Sequence, residues 1–298
     1  MRSVGDMLAI GLMILEGDVP VELSTIADDW KTIEVPRAAG GLPQLKAKLR
    51  KSHAVAIIGA GSKKARYARE ALTLGKHVLI DFPAGLTWNE VARLKELSAH
   101  NGLCLYSPNL LRLEAGMSEL RQMAGDGSSK LLSLTISYGM GGKLEQSQYS
   151  MKLAQILDLA EWVVGSKYVN VRQEKSASAP SANARVILMS HENGVKTLLN
   201  IHYASSRDAS LWIDGVFDNS IVHLNPWAQT IRLQSLNERS HKEIDWAVSS
   251  LRRAIEDFKM VIDRRSEPSD FGDQRRVIEL TRKLAQDGKG FSANQHAA

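Results

Sequence analysis

The stretch His53–Thr87, HAVAIIGAGSKKARYAREALTLGKHVLIDFPAGLT, constrains the fold of this chain more than any other. Its apolar run Ala54–Ile58 meets Gly59-Ala60-Gly61, an amphipathic segment follows, and a second apolar run, Val78–Ile80, closes on Asp81-Phe82-Pro83. Five consecutive apolar residues bounded by glycine read as a strand buried on both faces, as in a parallel sheet covered by helices. Between the runs, Ala65, Ala68, Ala71 and Leu72 keep helical spacing, and Lys63, Lys64, Arg66, Arg69 and Glu70 are assigned to the opposite face. The unit is strand, turn, helix, strand, and Gly75 ends the helix.

The same alternation surrounds it. Residues 4–16 read as a helix stopping at Gly17-Asp18, and Val21–Ile26 reads as a strand ending in Ala27-Asp28-Asp29. Pro36–Pro43 is a loop, and Leu42–Lys51 a short basic helix. Thr87 followed by Glu90 predicts a capping box for a helix over Trp88–His100. A strand at Leu103–Tyr106 and a helix at Leu113–Met123 complete a parallel sheet with helices on both faces.

After Gly125 the pattern changes. A strand at Leu131–Tyr138 and a helix at Tyr149–Val164, ended by Gly165, precede closely spaced strands at Tyr168–Gln173, Ala184–Met189, Val195–Tyr203, Leu211–Val216, Ile221–Leu224 and Thr230–Leu233. His191-Glu192-Asn193-Gly194 is a hairpin turn, since Asn-Gly tolerates positive φ. Helices near 242–262 and 271–286 close the chain. The expected fold is α/β plus α+β: a Rossmann-type parallel sheet over residues 1–125, followed over residues 126–298 by a mostly antiparallel open sheet. The closing helices, 242–288, are expected to pack partly back.

Composition narrows the function classes. The single cysteine, Cys104, forms no internal disulfide, which points to a reducing compartment, and cytoplasmic is the expected location. The apolar run Met7–Leu15 is too short to span a bilayer, and Asp6 before it is wrong for a signal peptide. The net charge of +5 includes Arg252-Arg253, Arg264-Arg265 and Arg275-Arg276, pairs with helical apolar spacing and no interleaved aromatics, so no nucleic-acid partner is expected. His191, His202 and His223 lack metal-ligand spacing, and no metal is expected. His77 reads as a packed strand-entry histidine.

The glycine turn admits two registers. Read as the first Rossmann turn, Gly59-Ala60-Gly61 would hold a pyrophosphate and Asp81 the ribose hydroxyls. That reading puts Lys64 where the third glycine belongs and leaves residues 1–52 as a leader. The other register makes Ala54–Ile58 a later strand of the same sheet.

Resemblance favours the second register. The run Ala71-Leu72-Thr73-Leu74-Gly75-Lys76-His77-Val78-Leu79-Ile80-Asp81-Phe82-Pro83-Ala84-Gly85-Leu86-Thr87 resembles the Ala-Leu-x-x-Gly-Lys-His-Val-x-x-Glu-Lys-Pro-x-x-x-Thr stretch of the glucose-fructose oxidoreductase, inositol dehydrogenase and MocA (Gfo/Idh/MocA) family. The likeness extends through Tyr106–Arg112, Asp158–Gly165, Asn193-Gly194, Asp214-Gly215 and the closing helices. It implies an NAD- or NADP-dependent oxidoreductase of a sugar- or cyclitol-like small molecule, with homo-oligomer formation through the carboxyl-terminal sheet.

It also implies a site. Asp28 matches the acid that reads the adenosine ribose, Gly59, Ala60 and Gly61 match the turn on the nicotinamide side, and Asp81 and Pro83 complete the expected cofactor set. Arg112 and Gln155 are the expected substrate contacts. The family lysine, however, falls on Phe82, and its aspartate and histidine, one helical turn apart, fall on Met151 and Gln155 when Asp158 is aligned. All three proton-handling positions are therefore replaced, and an oxidoreductase fold kept as a non-catalytic ligand sensor or oligomerisation partner is the alternative. The resemblance further places the family's first strand and glycine-rich turn ahead of the helix expected at residues 4–16. The sheet is thus expected to lack its first strand, because the natural start lies upstream of Met1 or because the domain has been rebuilt.

Overall fold

A computed structural model describes residues 10–14, 31–32, 49, 52–59, 63–83, 87–127, 129–141, 146–174, 184–204, 209–235, 239–240, 248–263 and 271–287. Two compact units divide the chain, residues 1–110 with 249–279 and residues 111–248 with 280–298.

The first unit holds strands β1 (Ile10–Ile14), β2 (Lys31–Thr32), β3 (Ala54–Ile58), β4 (His77–Ile80) and β5 (Leu105–Tyr106), all parallel, in the order β2-β1-β3-β4-β5. Helix α1 (Lys64–Thr73) connects β3 to β4, and α2 (Trp88–His100) connects β4 to β5. Ala54, Val55, Ala56 and Ile57 are fully buried, as a strand covered on both faces requires. Thr87 closes the expected capping box, its hydroxyl accepting from Glu90 N while Glu90 accepts from Thr87 N.

Residues 10–14 correct the expected helix over residues 4–16. They form a strand paired with β2 on one side and, over its whole length, with β3 on the other. An uninterrupted apolar run carries no periodicity to separate a buried helix from a buried strand. Gly11 weakens the helix by about 1 kcal/mol, and pairing on both sides decides for the strand. The resemblance expected a helix here with the family's first strand ahead of it and missing, whereas residues 10–14 are themselves a strand of the sheet, between β2 and β3. The strand expected at Val21–Ile26 and the loop at Pro36–Pro43 lie outside the described residues.

The strand order also decides between the two registers. Were β3 the first strand, its partners on the far side would come later in the sequence, whereas β1 and β2 come earlier. The chain runs outward from β1 to β2, crosses back, and runs outward again through β3, β4 and β5. The neighbours β1 and β3 therefore send their connections in opposite directions.

Two further helices are α5 (Ser250–Ile262) and α6 (Phe271–Asp287). Ala254, Ile255 and Phe258 form the buried stripe of α5, which packs against β4, and the Phe258 ring stacks on Tyr106 at 6.1 Å. From α6, Gln274 Nε2 donates to Ser107 O at 2.8 Å.

In the second unit, α3 (Met117–Gly125) and α4 (Gln146–Val164) pack against each other beside an eight-stranded sheet. Its strands are β6 (Leu131–Gly141), β7 (Tyr168–Glu174), β8 (Ala184–His191), β9 (Lys196–Ala204), β10 (Ser210–Phe217), β11 (Ser220–Asn225), β12 (Thr230–Ser235) and β13 (Arg239–Ser240). They lie in the order β13-β12-β11-β10-β6-β9-β8-β7, and every pair is antiparallel except β6 with β9. One face carries Ile136, Ile187, Met189, Leu199, Leu211 and Ile213, all fully buried. On the other face Leu188 and Trp212 are exposed. Gly165, at φ +67°, ends α4, and Gly194, at φ +87°, makes the expected hairpin turn. The expected two-part architecture, a parallel sheet and a mostly antiparallel one, is the one the chain adopts. Among the described residues no helix is long and apolar enough to cross a membrane.

Candidate functional site

A parallel sheet delivers the carboxyl ends of all its strands to one edge, and ligands of such sheets bind where neighbouring strands connect in opposite directions. Here that point lies between β1 and β3. Gly59 leaves β3 at this edge with φ +109°, a conformation that strains any side chain.

Asp81 leaves β4 at the same edge. Its N–H donates to Ile57 O at 3.3 Å, and its carboxylate pairs with Lys64 Nζ at 2.7 Å. The same ammonium donates to Asp81 O at 2.9 Å. The two side chains are 2% and 6% exposed. Lys64 therefore lies on the buried face of α1, not on the solvent face to which its charge assigned it. Residues 64, 68 and 71 share one helical stripe, and a lysine on that stripe needs a buried counter-charge. That spacing was the signal available in the sequence.

Phe82 is fully buried, its N–H donates to Pro108 O at 2.8 Å, and the peptide joining it to the buried Pro83 is cis. Residue 82, where the resemblance expected a lysine, is thus a packed aromatic ring, while a lysine from α1 contacts the residue before it.

In the second unit Met151, Gln155 and Asp158 recur at spacings of four and three along α4, and all three are buried. Arg112 takes Asp158 in a two-point grip: Nε donates to Oδ2 at 2.7 Å, and a terminal nitrogen donates to Oδ1. The guanidinium also lies 5.8 Å from the centroid of the Trp162 ring. The sequence reading missed Asp158 as the partner of Arg112. Tyr138, nearly fully buried, is held protonated by burial and then by the negative charge of Glu114.

Asp28, Ala60 and Gly61 lie outside the described residues. His77, His191 and His223 each hold a hydrogen bond within the fold. His77 Nδ1 accepts from Cys104 N at 2.9 Å, and burial, aided by His53, lowers its pKa. Burial pushes the Cys104 thiol up to about 12, which removes it as a nucleophile at neutral pH. His191 bridges Ser166 O and Thr197 Oγ1, and His223 meets Asp214 across β10 and β11. No group of three metal-ligating side chains occurs among the described residues.

No protein-family model matches the sequence, and no curated protein does. Solved structures match in fold. UDP-N-acetylglucosamine 3-dehydrogenase from Acidithiobacillus ferrooxidans superposes with a TM-score of 0.75 at 19% identity, covering 93% of this chain and 96% of its own. An aldose-aldose oxidoreductase from Caulobacter crescentus, complexed with glycerol, gives a TM-score of 0.75 at 15% identity, covering 95% and 98%. GenD2 of gentamicin A biosynthesis, in complex with NAD, gives 0.71 at 14% identity, covering 97% of each chain. At such identities the likeness establishes a shared two-part fold.

Proposed function

We propose that this chain is a Gfo/Idh/MocA-type oxidoreductase homologue that binds NAD or NADP in the crevice between β1 and β3 and takes a sugar- or cyclitol-like small molecule. The observation that carries the reading is the reversal of strand order at β1 and β3 in a chain that follows, over 93% and 97% of its length, the folds of a UDP-N-acetylglucosamine 3-dehydrogenase and of GenD2 in complex with NAD. The residues present fit the cofactor. Gly59 offers backbone without a Cβ at the strand end, and the buried Ile58, Ile80 and Phe82 pack behind that edge. Gly59, Ala60 and Gly61 would approach the nicotinamide side, Asp28 the ribose, and the backbone of residues 81–83 the far wall. Bound there, the cofactor supplies a hydride acceptor or donor.

What this chain lacks is a proton carrier at the expected places. Phe82 holds no charge, Met151 makes no strong hydrogen bond, and Gln155 accepts no proton near neutral pH. Those substitutions favour a second reading, in which the fold serves as a ligand sensor or as an oligomerisation partner without turnover. The open face of the eight-stranded sheet, with Leu188 and Trp212 exposed on it, is the proposed homo-oligomer surface. A cytoplasmic location belongs to the same reading.

Binding and turnover separate the alternatives. Saturable NADH or NADPH binding, with reduction of NAD or NADP by at least one member of a panel of sugars, nucleotide sugars and cyclitols, is the result expected of the oxidoreductase. Binding without turnover over the panel selects the sensor, and failure to bind either cofactor overturns the oxidoreductase reading.

A further inference from the structure

We infer that the Lys64–Asp81 pair is a positioning element that fixes the chain leaving β4 at the cofactor crevice. The cofactor part of the inference rests on the dinucleotide reading above.

One ammonium contacts both the carboxylate and the carbonyl of a single residue, so it fixes the side chain and the backbone of Asp81 together. The N–H of Asp81 is held by Ile57 O and the N–H of Phe82 by Pro108 O. Three successive backbone groups, Asp81 N–H, Asp81 C=O and Phe82 N–H, are therefore pinned from three different segments. Lys64 opens α1, five residues after Gly59, and so ties the helix that follows β3 to the exit of β4.

Stability alone does not call for this pair. Its neighbours Ile57, Ile80, Ala65 and Ala68 are apolar and buried, and an apolar pair of similar volume in such a setting is commonly as stable, because desolvation offsets the attraction between buried charges. What charge adds is direction, since charge-assisted hydrogen bonds fix geometry that apolar contacts leave loose. The Asp81 carboxylate is turned to Lys64, so its role is to place the backbone of residues 81–83.

The test is the double variant Lys64→Met with Asp81→Leu, which removes both charges at similar volume. Thermal unfolding, NADH titration and amide hydrogen exchange are measured on the full chain. The expected result is a melting temperature within about 5 °C of the parent, loss of protection at the Asp81 and Phe82 amides, and an NADH dissociation constant raised about tenfold or more. Unchanged protection at those amides, or a dissociation constant within about twofold of the parent, overturns the inference. So does a fall in melting temperature well beyond 5 °C, which would make the pair a stability element. If the parent binds neither NADH nor NADPH, the functional reading fails by itself, and the exchange and melting data still decide the positioning role.

Discussion

Arg112 closes a two-point hydrogen bond on Asp158, a carboxylate only 2% exposed in the middle of α4, while its own side chain stays 29% exposed. The two halves of the pair should therefore differ in what their loss costs. Arg112→Met strands a buried anion and should destabilise by about 3 kcal/mol. Asp158→Asn leaves a guanidinium that water can reach, and should cost roughly half as much. Urea unfolding of both variants measures the difference, and equal losses would mean that burial of the carboxylate carries no penalty.

Acid should unfold the protein partly through its buried histidines. His191 is 3% exposed, with Nδ1 and Nε2 each 2.9 Å from an oxygen, and burial lowers its pKa against the opposing pull of the Ser166 carbonyl. His77 is lowered in the same way. A base whose folded pKa lies below its unfolded value contributes stability that is complete above the unfolded value, about 6.5, and is lost as pH falls through the folded one. Melting temperature should accordingly drop as pH falls below about 6.5. His191→Gln should flatten that slope, and His191→Gln with His77→Gln should flatten it further. A slope unchanged in the double variant would locate the acid sensitivity elsewhere.

Phe82 should tolerate another apolar side chain and reject the charge its position once implied. Phe82→Leu leaves a cavity and should cost on the order of 1–3 kcal/mol. Phe82→Lys buries an ammonium in a fully covered site that already holds Lys64, and should cost more, toward the upper part of the roughly 2–7 kcal/mol range for an unsatisfied buried polar group. Thermal or urea denaturation ranks the two. A stable Phe82→Lys protein that gains turnover with a sugar would show that the site retains the room and the water for a lysine.

The open sheet face gives a separate prediction. Trp212 and Leu188 are 48% and 40% exposed on the face away from α4. Trp212→Asp with Leu188→Asp should convert a homo-oligomer to monomer in light scattering while leaving the far-ultraviolet circular dichroism intact. A parent protein that is already monomeric at micromolar concentration would contradict the oligomer proposal.

Period and punctuation made most of this fold legible. Strands β6 to β12 of the second sheet fall within three residues of the positions set by alternation, β13 was not expected, and the glycines at 165 and 194 end their elements as expected. The segment Ile10–Ile14 was not legible, because an unbroken apolar run looks alike in both secondary structures and its partners are distant in sequence. Lys64 was misplaced for a related reason. Charge assigned it to solvent, while its helical phase assigned it to the core, and only the partner at Asp81, seventeen residues on, reconciles the two. The identities of Phe82, Met151 and Gln155 were legible at once, since they do not depend on contact, while the burial of each was not.

The proposed nicotinamide dinucleotide site lies in the crevice where β1 and β3 part. Titrating the purified protein with NADH and following nicotinamide fluorescence tests it most directly. The expected result is a saturable change that excess NAD or NADP reverses and that Gly59→Val abolishes without unfolding the protein. A linear response with no saturation, with NADH and again with NADPH, would contradict it.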